Sequence, residues 1–257
     1  MLNTLEVTTD ELMIVNAARA LGNAAAAGKG VCFVGIGLPS TAANLARRIY
    51  DPEPVLIYES GCIGSKPSRL PLSIGDGELA ETSDSVVGVP EIFAYWLQAG
   101  RIDIGFLSGA QVDKFGNINS TVIGTYCAPK TRLPGAGGAP EIASAAGQVM
   151  VIMRQSKRAF VDRVDFCSSF GYGDGKGHRE RLGLRGGGPR IVITDLGVME
   201  PDPETCELIL TQVHPGVTAE HCIENTGWNL RVAKTLLVTE KVTTTEIETL
   251  RALQAAK

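Results

Sequence analysis

Val31-Cys32-Phe33-Val34-Gly35-Ile36-Gly37-Leu38-Pro39-Ser40 is the stretch on which the fold turns. Four consecutive apolar residues fit a strand covered on both faces, because a one-sided strand would alternate polar and apolar side chains. Two glycines follow at once, and an alanine-rich segment with helical character runs from them to about Ile49. Strand, tight turn and helix in that order make the first half of a βαβ unit. The same grammar recurs along the chain. Val55–Tyr58, Ile104–Leu107, Val149–Met153 and Ile191–Thr194 are short apolar runs bounded by Gly, Asp or polar residues. Ahead of the first strand, Thr8 and Glu11 have capping-box spacing before Leu12, Val15, Ala18 and Leu21, which predicts an amphipathic helix ending near Gly28 and Gly30.

These elements predict an α/β fold, an open and mostly parallel sheet with helices on both faces. Near the C-terminus the pattern changes. Val198–Glu200, a Pro-Asp-Pro-Glu turn and Glu207–Val213 read as a small hairpin added to the sheet, followed by a helix after Thr218 and another from about Thr245 to Gln254. The glycine-dense segment Gly171–Gly188 reads as a long loop, since apolar strands resume on either side. No repeat or low-complexity tract divides the chain, and residues 1–257 are expected to form one domain.

Composition narrows the function. Hydrophobic residues make up 44% and charged residues 20%, a globular profile, and the formal net charge of -4 provides no general attraction for nucleic acid or an anionic membrane. No run approaches the roughly 18 apolar residues of a membrane span. The six cysteines, Cys32, Cys62, Cys127, Cys167, Cys206 and Cys222, contain no CxxC pair and no histidine at metal-ligand spacing, so reduced thiols and no metal site are expected. Without a signal-peptide pattern the expected location is cytoplasmic.

Five segments could carry chemistry. Gly35 and Gly37 would let a ligand approach backbone N–H groups at the head of a helix. A dinucleotide fingerprint needs a third glycine, and Ser40 stands in its place, so NAD binding is rejected. Glu59, with Ser60 and Gly61, follows the Val55–Tyr58 strand directly, at the carboxyl end where open parallel sheets bind ligands. Taken alone, a glutamate just past a strand is most often a solvated loop residue, and its type does not say whether it acts as acid, base or nucleophile. Gly135-Ala136-Gly137-Gly138-Ala139-Pro140 could gather several N–H groups around a negative oxygen or be a plain turn. Gln111 and Asn119 flank a polar turn and could each donate to a carbonyl or hold the loop. In the glycine-rich segment Lys176, His178, Arg179 and Arg181 could meet a phosphate, and a mobile solvated loop accounts for them equally well.

As a set these motifs resemble the B subunits of family I CoA-transferases. The resemblance rests on Gly35-Ile36-Gly37-Leu38-Pro39, Tyr58-Glu59-Ser60-Gly61, Gly109–Asp113, Gly116–Thr121, Gly135–Ala139, Arg179–Leu184 and Glu224–Gly227, and covers nearly the whole chain. Glu-Ser-Gly places it in the branch containing glutaconate CoA-transferase, and Leu72–Thr82 with Tyr95–Gln98 is most similar to the 3-oxoadipate enzymes. The resemblance implies the CoA-transferase fold, coenzyme A as substrate with no permanently bound cofactor, an A-subunit partner, and succinyl-CoA with 3-oxoadipate as substrates, glutaconate with acetyl-CoA being the runner-up. It implies that Glu59 attacks the thioester and passes through a glutamyl-CoA intermediate. Gly137, Gly138, Ala139, Asn119 and Gln111 are then candidates to stabilise the thioester oxyanion, and Gly35, Gly37, Ser60 and Gly61 to line the substrate. Relatives that lost the motif glutamate act as hydrolases or decarboxylases on the same scaffold.

Overall fold

The structure is a computed structural model that describes residues 6–256. The chain opens with α1 (Thr9–Ala26), β1 (Val31–Val34), α2 (Leu38–Ile49), β2 (Val55–Tyr58) and β3 (Cys62–Ile63). Next come α3 (Gly77–Glu81), β4 (Ser85–Val86) and α4 (Val89–Glu91), which runs into a π-helical stretch (Ile92–Leu97). The middle of the chain holds β5 (Ile104–Leu107), β6 (Gln111–Asp113), β7 (Ile118–Asn119), β8 (Val122–Thr125), β9 (Ala128–Arg132), α5 (Ala139–Ala145), β10 (Gln148–Ile152) and β11 (Phe160–Val161). The last part contains α6 (His178–Arg181), β12 (Pro189–Ile193), β13 (Gly197–Pro201), β14 (Leu208–Val213), α7 (Ala219–Glu224), β15 (Arg231–Val238) and α8 (Thr244–Ala255).

Ten strands form one sheet in the order β15-β14-β13-β12-β10-β5-β1-β2-β3-β4. Its centre, β12-β10-β5-β1-β2, is parallel throughout. Both flanks turn antiparallel, β3 and β4 on one side and β13 and β14 on the other. The sheet is therefore mixed, parallel where the site lies. The expected hairpin is β13–β14, but α7 then crosses back to lay β15 parallel to β14, so the C-terminal addition is larger than a hairpin. Two smaller sheets, β11-β6-β7 and β8-β9, complete the fold.

Side-chain alternation assigns the two cores. Cys32 and Val34 of β1 and Leu56 and Tyr58 of β2 face α1, α2 and α8, whereas Phe33 and Ile57 face the π-helical stretch, α5 and α7. Both faces are thus apolar, which is why these strands read as unbroken hydrophobic runs. Burying a side chain such as Phe33, 1% exposed, contributes about 1.5–3 kcal/mol. The capping box expected at α1 is present, Thr8 and Glu11 exchanging bonds at 2.8 and 3.2 Å. Because β5, β1 and β2 run parallel as neighbours, their carboxyl ends lie together at one edge of the sheet.

Candidate active site

At that edge Gly35 follows β1, Glu59 follows β2 and Ser108 follows β5. Together with Ile36, Pro39 and the Ala136–Ala139 segment they surround a cavity of about 180 Å³, floored by Phe33, Phe106 and Ile142. Larger clefts, of about 690, 640 and 430 Å³, lie elsewhere: beside Asp113 and His178, between Arg19 and Arg190, and beside Tyr172 and Cys206; none of these contains Glu59. Size alone would favour those clefts. The small cavity is the candidate for the chemistry because it lies at the carboxyl ends of three parallel strands and brings a carboxylate against the Gly138 backbone.

Glu59 is held through its backbone. The Tyr58 ring is fully buried, its hydroxyl accepts from Asn44 Nδ2 at 3.0 Å, and Ser40 Oγ lies 3.3 Å away, so the residue before Glu59 is fixed to α2. Burial is the main reason that the Tyr58 phenol is pushed up from its ordinary pKa. Gly61 N donates to Tyr58 O at 2.9 Å, closing the turn that joins β2 to antiparallel β3 and presenting Glu59 on it. Gly61 has φ +101°, and a Cβ there would lie 1.9 Å from Val87 O, so only glycine fits. Ser60 Oγ turns to Cys62 Sγ at 3.5 Å. Ser60 and Gly61 build the turn, and neither is among the residues around the cavity.

The half-buried Glu59 side chain makes no hydrogen bond or ion pair among the described residues. Its Oε1 lies 3.0 Å from where a Cβ at position 138 would sit, which brings the carboxylate against the Gly138 backbone. The Phe93 ring would be 2.6 Å from that same Cβ. Phe93 comes from the π-helical stretch, where Gln98 N reaches back to Phe93 O at 2.8 Å, and its ring packs on Phe33 at 5.7 Å between centroids. The widened helical turn swings Phe93 over the nest.

Positive φ at Gly135 (+109°) and Gly137 (+50°) shapes the loop before α5. Gly135 N donates to Ser120 O at 3.0 Å and pins the loop's start. The N–H groups of Gly137 and Gly138 have no partner among the described residues, so they remain free to bind an oxyanion. Ala139 N instead donates to Ala136 O at 3.0 Å, which removes the expected Ala139 donor.

Asn119 and Gln111 place their amides on other groups of the protein. Asn119 is fully buried; its Nδ2 donates to Gln111 Oε1 at 2.8 Å and Val122 O at 2.7 Å, and its Oδ1 accepts from Thr121 N and Val122 N. Gln111 Oε1 also accepts from Asp165 N, and Nε2 donates to Asp165 Oδ2. Both amides are used up in bonds to each other, to Thr121 and Val122 just past β7, and to Asp165. Gly35 lines the cavity, while Gly37 caps α2 with φ 84° and ψ -138°, a conformation open only to glycine. Ser108, missed in the sequence, is a polar side chain of the lining, and the rule that singled out Glu59, a residue just past a predicted strand, would have found it. Among the described residues no group of His, Cys, Asp and Glu could hold a metal ion, and no helix is long and apolar enough to cross a membrane.

The coenzyme A transferase family model matches residues 19–225, and the chain belongs to that family. Within it the chain is a CoA-transferase of the B-subunit type. It is 61% identical over 248 residues to the B subunit of 3-oxoadipate CoA-transferase from Pseudomonas knackmussii, covering 96% of this chain and 94% of that protein. It is 39% identical over 234 residues to the B subunit of glutaconate CoA-transferase from Acidaminococcus fermentans, covering 88% and 85%. The crystal structure of the Acidaminococcus fermentans glutaconate enzyme superimposes with a TM-score of 0.87 at 35% identity, over 96% of this chain and 94% of that one.

Proposed function

We propose that this chain carries the nucleophile of a 3-oxoadipate CoA-transferase, moving CoA from succinyl-CoA to 3-oxoadipate in the cytoplasm, together with an A-type partner. The observation that carries the reading is the Glu59 carboxylate lying against Gly138, beside two unpaired N–H groups, in a cavity at the carboxyl ends of parallel strands. The 61% identity to a 3-oxoadipate enzyme supports the substrate pair.

In the mechanism a Glu59 oxygen attacks the donor thioester carbonyl, and the C–S bond breaks to release CoA thiolate and leave an acyl-glutamyl anhydride. The thiolate then attacks the glutamyl carbonyl of that anhydride. The donor acid leaves as a carboxylate, and Glu59 becomes a glutamyl-CoA thioester. The acceptor carboxylate attacks this thioester, freeing the thiolate again, and the thiolate attacks the new acyl carbonyl to restore the Glu59 carboxylate. No net proton moves, so no general base is required. Each tetrahedral intermediate places negative charge on one oxygen, to which the Gly137 and Gly138 N–H groups donate; such a donor contributes about 10²–10³ in rate. CoA enters as substrate, and no resident cofactor takes part.

A cavity of about 180 Å³ is below the roughly 300–1,000 Å³ of pockets that enclose a small molecule, so the remaining walls come from the A-type partner. Those walls exclude water, which would hydrolyse the anhydride. A hydrolase or decarboxylase on this scaffold would dispense with the glutamate, and Glu59 is in place. The test combines both subunits with succinyl-CoA and no acceptor, followed by borohydride. The expected product is a reduced side chain on the Glu59 peptide alone, absent in Glu59→Ala, with CoA transfer abolished in that variant. Labelling elsewhere, or activity retained in Glu59→Ala, refutes the mechanism.

A further inference from the structure

Arg179 is 4% exposed, and all its hydrogen bonds go to backbone carbonyls. Nε and Nη2 donate to Gly186 O at 3.1 and 2.8 Å, and Nη1 donates to Phe170 O and Gly171 O at 3.2 and 2.8 Å. Nη2 also reaches Ala143 O at 3.0 Å and Ser144 O at 3.4 Å. A buried cation is costly without compensation. Here Ala143 and Ser144 belong to the last turn of α5, whose carbonyls lack helical partners and carry the negative end of the helix dipole. The rest of the compensation comes from both arms of the glycine-rich segment. Its glycines let backbone pack on backbone: a Cβ at Gly171 would be 2.3 Å from Gly116 C, and one at Gly186 would be 2.4 Å from Ala146 O. The two ends of the segment thus close on one buried guanidinium, while Lys176, Glu180, Arg181 and Arg185 between them stay exposed.

The helix so clamped is α5, seven residues and about 10 Å long. Its opposite end is Gly138, which touches Glu59 and Phe93. In between, Ile142 presses on β5, where a Cβ at Gly105 would be 2.2 Å from Ile142 Cγ2. A rod this short, wedged at its middle, transmits a shift at one end to the other.

We infer that Arg179 is a positioning residue for the reaction at Glu59: by fixing the far end of α5 it holds the Gly137–Gly138 backbone in place beside the carboxylate. This rests on the reading of Glu59 as the nucleophile. A lysine at 179 keeps the charge but loses the planar fork that spans five carbonyls. Gly186→Ala disturbs the same junction by crowding Ala146 O while leaving the arginine in place.

The test uses the complex of both subunits, with Arg179→Lys, Gly186→Ala and, as a control, Arg181→Lys on the exposed side of α6. Borohydride after succinyl-CoA counts the sites that form the Glu59 adduct, and turnover is divided by that count. The expected result is a fall of about 10- to 100-fold in turnover per trapped site for Arg179→Lys and Gly186→Ala, with KM for acyl-CoA little changed and none of this in Arg181→Lys. A purely structural role would lower the melting temperature and the number of competent sites and leave turnover per site intact. That pattern in either variant overturns the inference while the Glu59 mechanism stands. Absence of any adduct in the unmodified complex overturns the Glu59 mechanism and this inference with it.

Discussion

Gly138→Ala isolates the contact on which the proposed chemistry depends. At φ -81° and ψ -1° residue 138 is in a region that alanine adopts freely, so the substitution adds no backbone strain. What it adds is a methyl carbon 2.6 Å from Phe93 Cζ and 3.0 Å from Glu59 Oε1. An ordinary contact begins near 3.4 Å, so the ring must retreat by about 0.8 Å and the carboxylate by about 0.4 Å. Phe93 is only half-buried and can yield outward, which puts the overpacking cost at the low end of its range, about 1 kcal/mol. The kinetic cost is larger. A 1 Å misplacement of a reacting group costs about 10²-fold, and loss of one oxyanion donor costs about 10²–10³-fold. A shift of half that size with both donors still present corresponds to about a 10- to 100-fold loss in kcat, or about 1.4–2.8 kcal/mol in the barrier. Initial rates of CoA transfer by the assembled enzyme give kcat, and a thermal melt of the same sample gives stability. If kcat stays within a factor of about two of the unsubstituted enzyme while the melt shifts, the Gly138 backbone does not act on the reacting centre.

Two further expectations concern stability. Gly61→Ala forces a side chain into φ +101° and onto Val87 O, and it should cost more than about 3 kcal/mol, read as a lower denaturation midpoint; an unchanged midpoint means that the turn carrying Glu59 is not built as described. His214 is 1% exposed, with Nε2 donating to Thr194 O at 2.8 Å and Nδ1 2.9 Å from Thr239 Oγ1; desolvation lowers its pKa despite the Thr194 bond and the attraction of Asp195. The unfolded chain therefore binds a proton at His214 that the folded chain resists, so stability is full above about pH 6.5 and falls as the pH drops toward the lower folded value. His214→Gln should flatten the melting temperature between about pH 6.5 and 5 relative to the parent, and equal slopes in the two proteins would remove His214 as the cause.

The parallel centre of the fold was legible because it is covered on both faces. Val31–Val34, Val55–Tyr58 and Ile104–Leu107 have no polar alternation to blur them, and each lies where the apolar run predicts. β6, β7 and β11 were not legible, since they are two or three residues long and include Gln111, Asp113 and Asn119. They exist through pairing with distant chain, such as Ile118 N to Ser169 O at 2.9 Å, which no local pattern encodes. β15 escaped for another reason: it is a largely exposed edge strand, and its burial follows neither period. In the site, the position of Glu59 could be read from the strand before it. The fate of Gln111 and Asn119 could not, because an amide that faces a ligand and one that faces Asp165 are the same letters.

A carboxylate nucleophile sets two requirements against each other. It must be held within a few tenths of an ångström of its target, yet hydrogen bonds or a cation strong enough to hold it would occupy the lone pairs that attack. This fold separates the two. Order is imposed on the backbone, through the buried Tyr58 hydroxyl on α2, the 2.9 Å turn bond from Gly61 and the Val87 backbone pressed against Gly61. The carboxylate itself is confined by contact with the Gly138 backbone and not by donors. The unpaired N–H groups nearby belong to Gly137 and Gly138, which in the proposed reaction meet the substrate oxygen once charge develops on it, so their binding is expressed in the transition state more than in the resting enzyme. Glycine at 138 is then required because a side chain there would press on Phe93 and displace the nucleophile, even with both donors still in place.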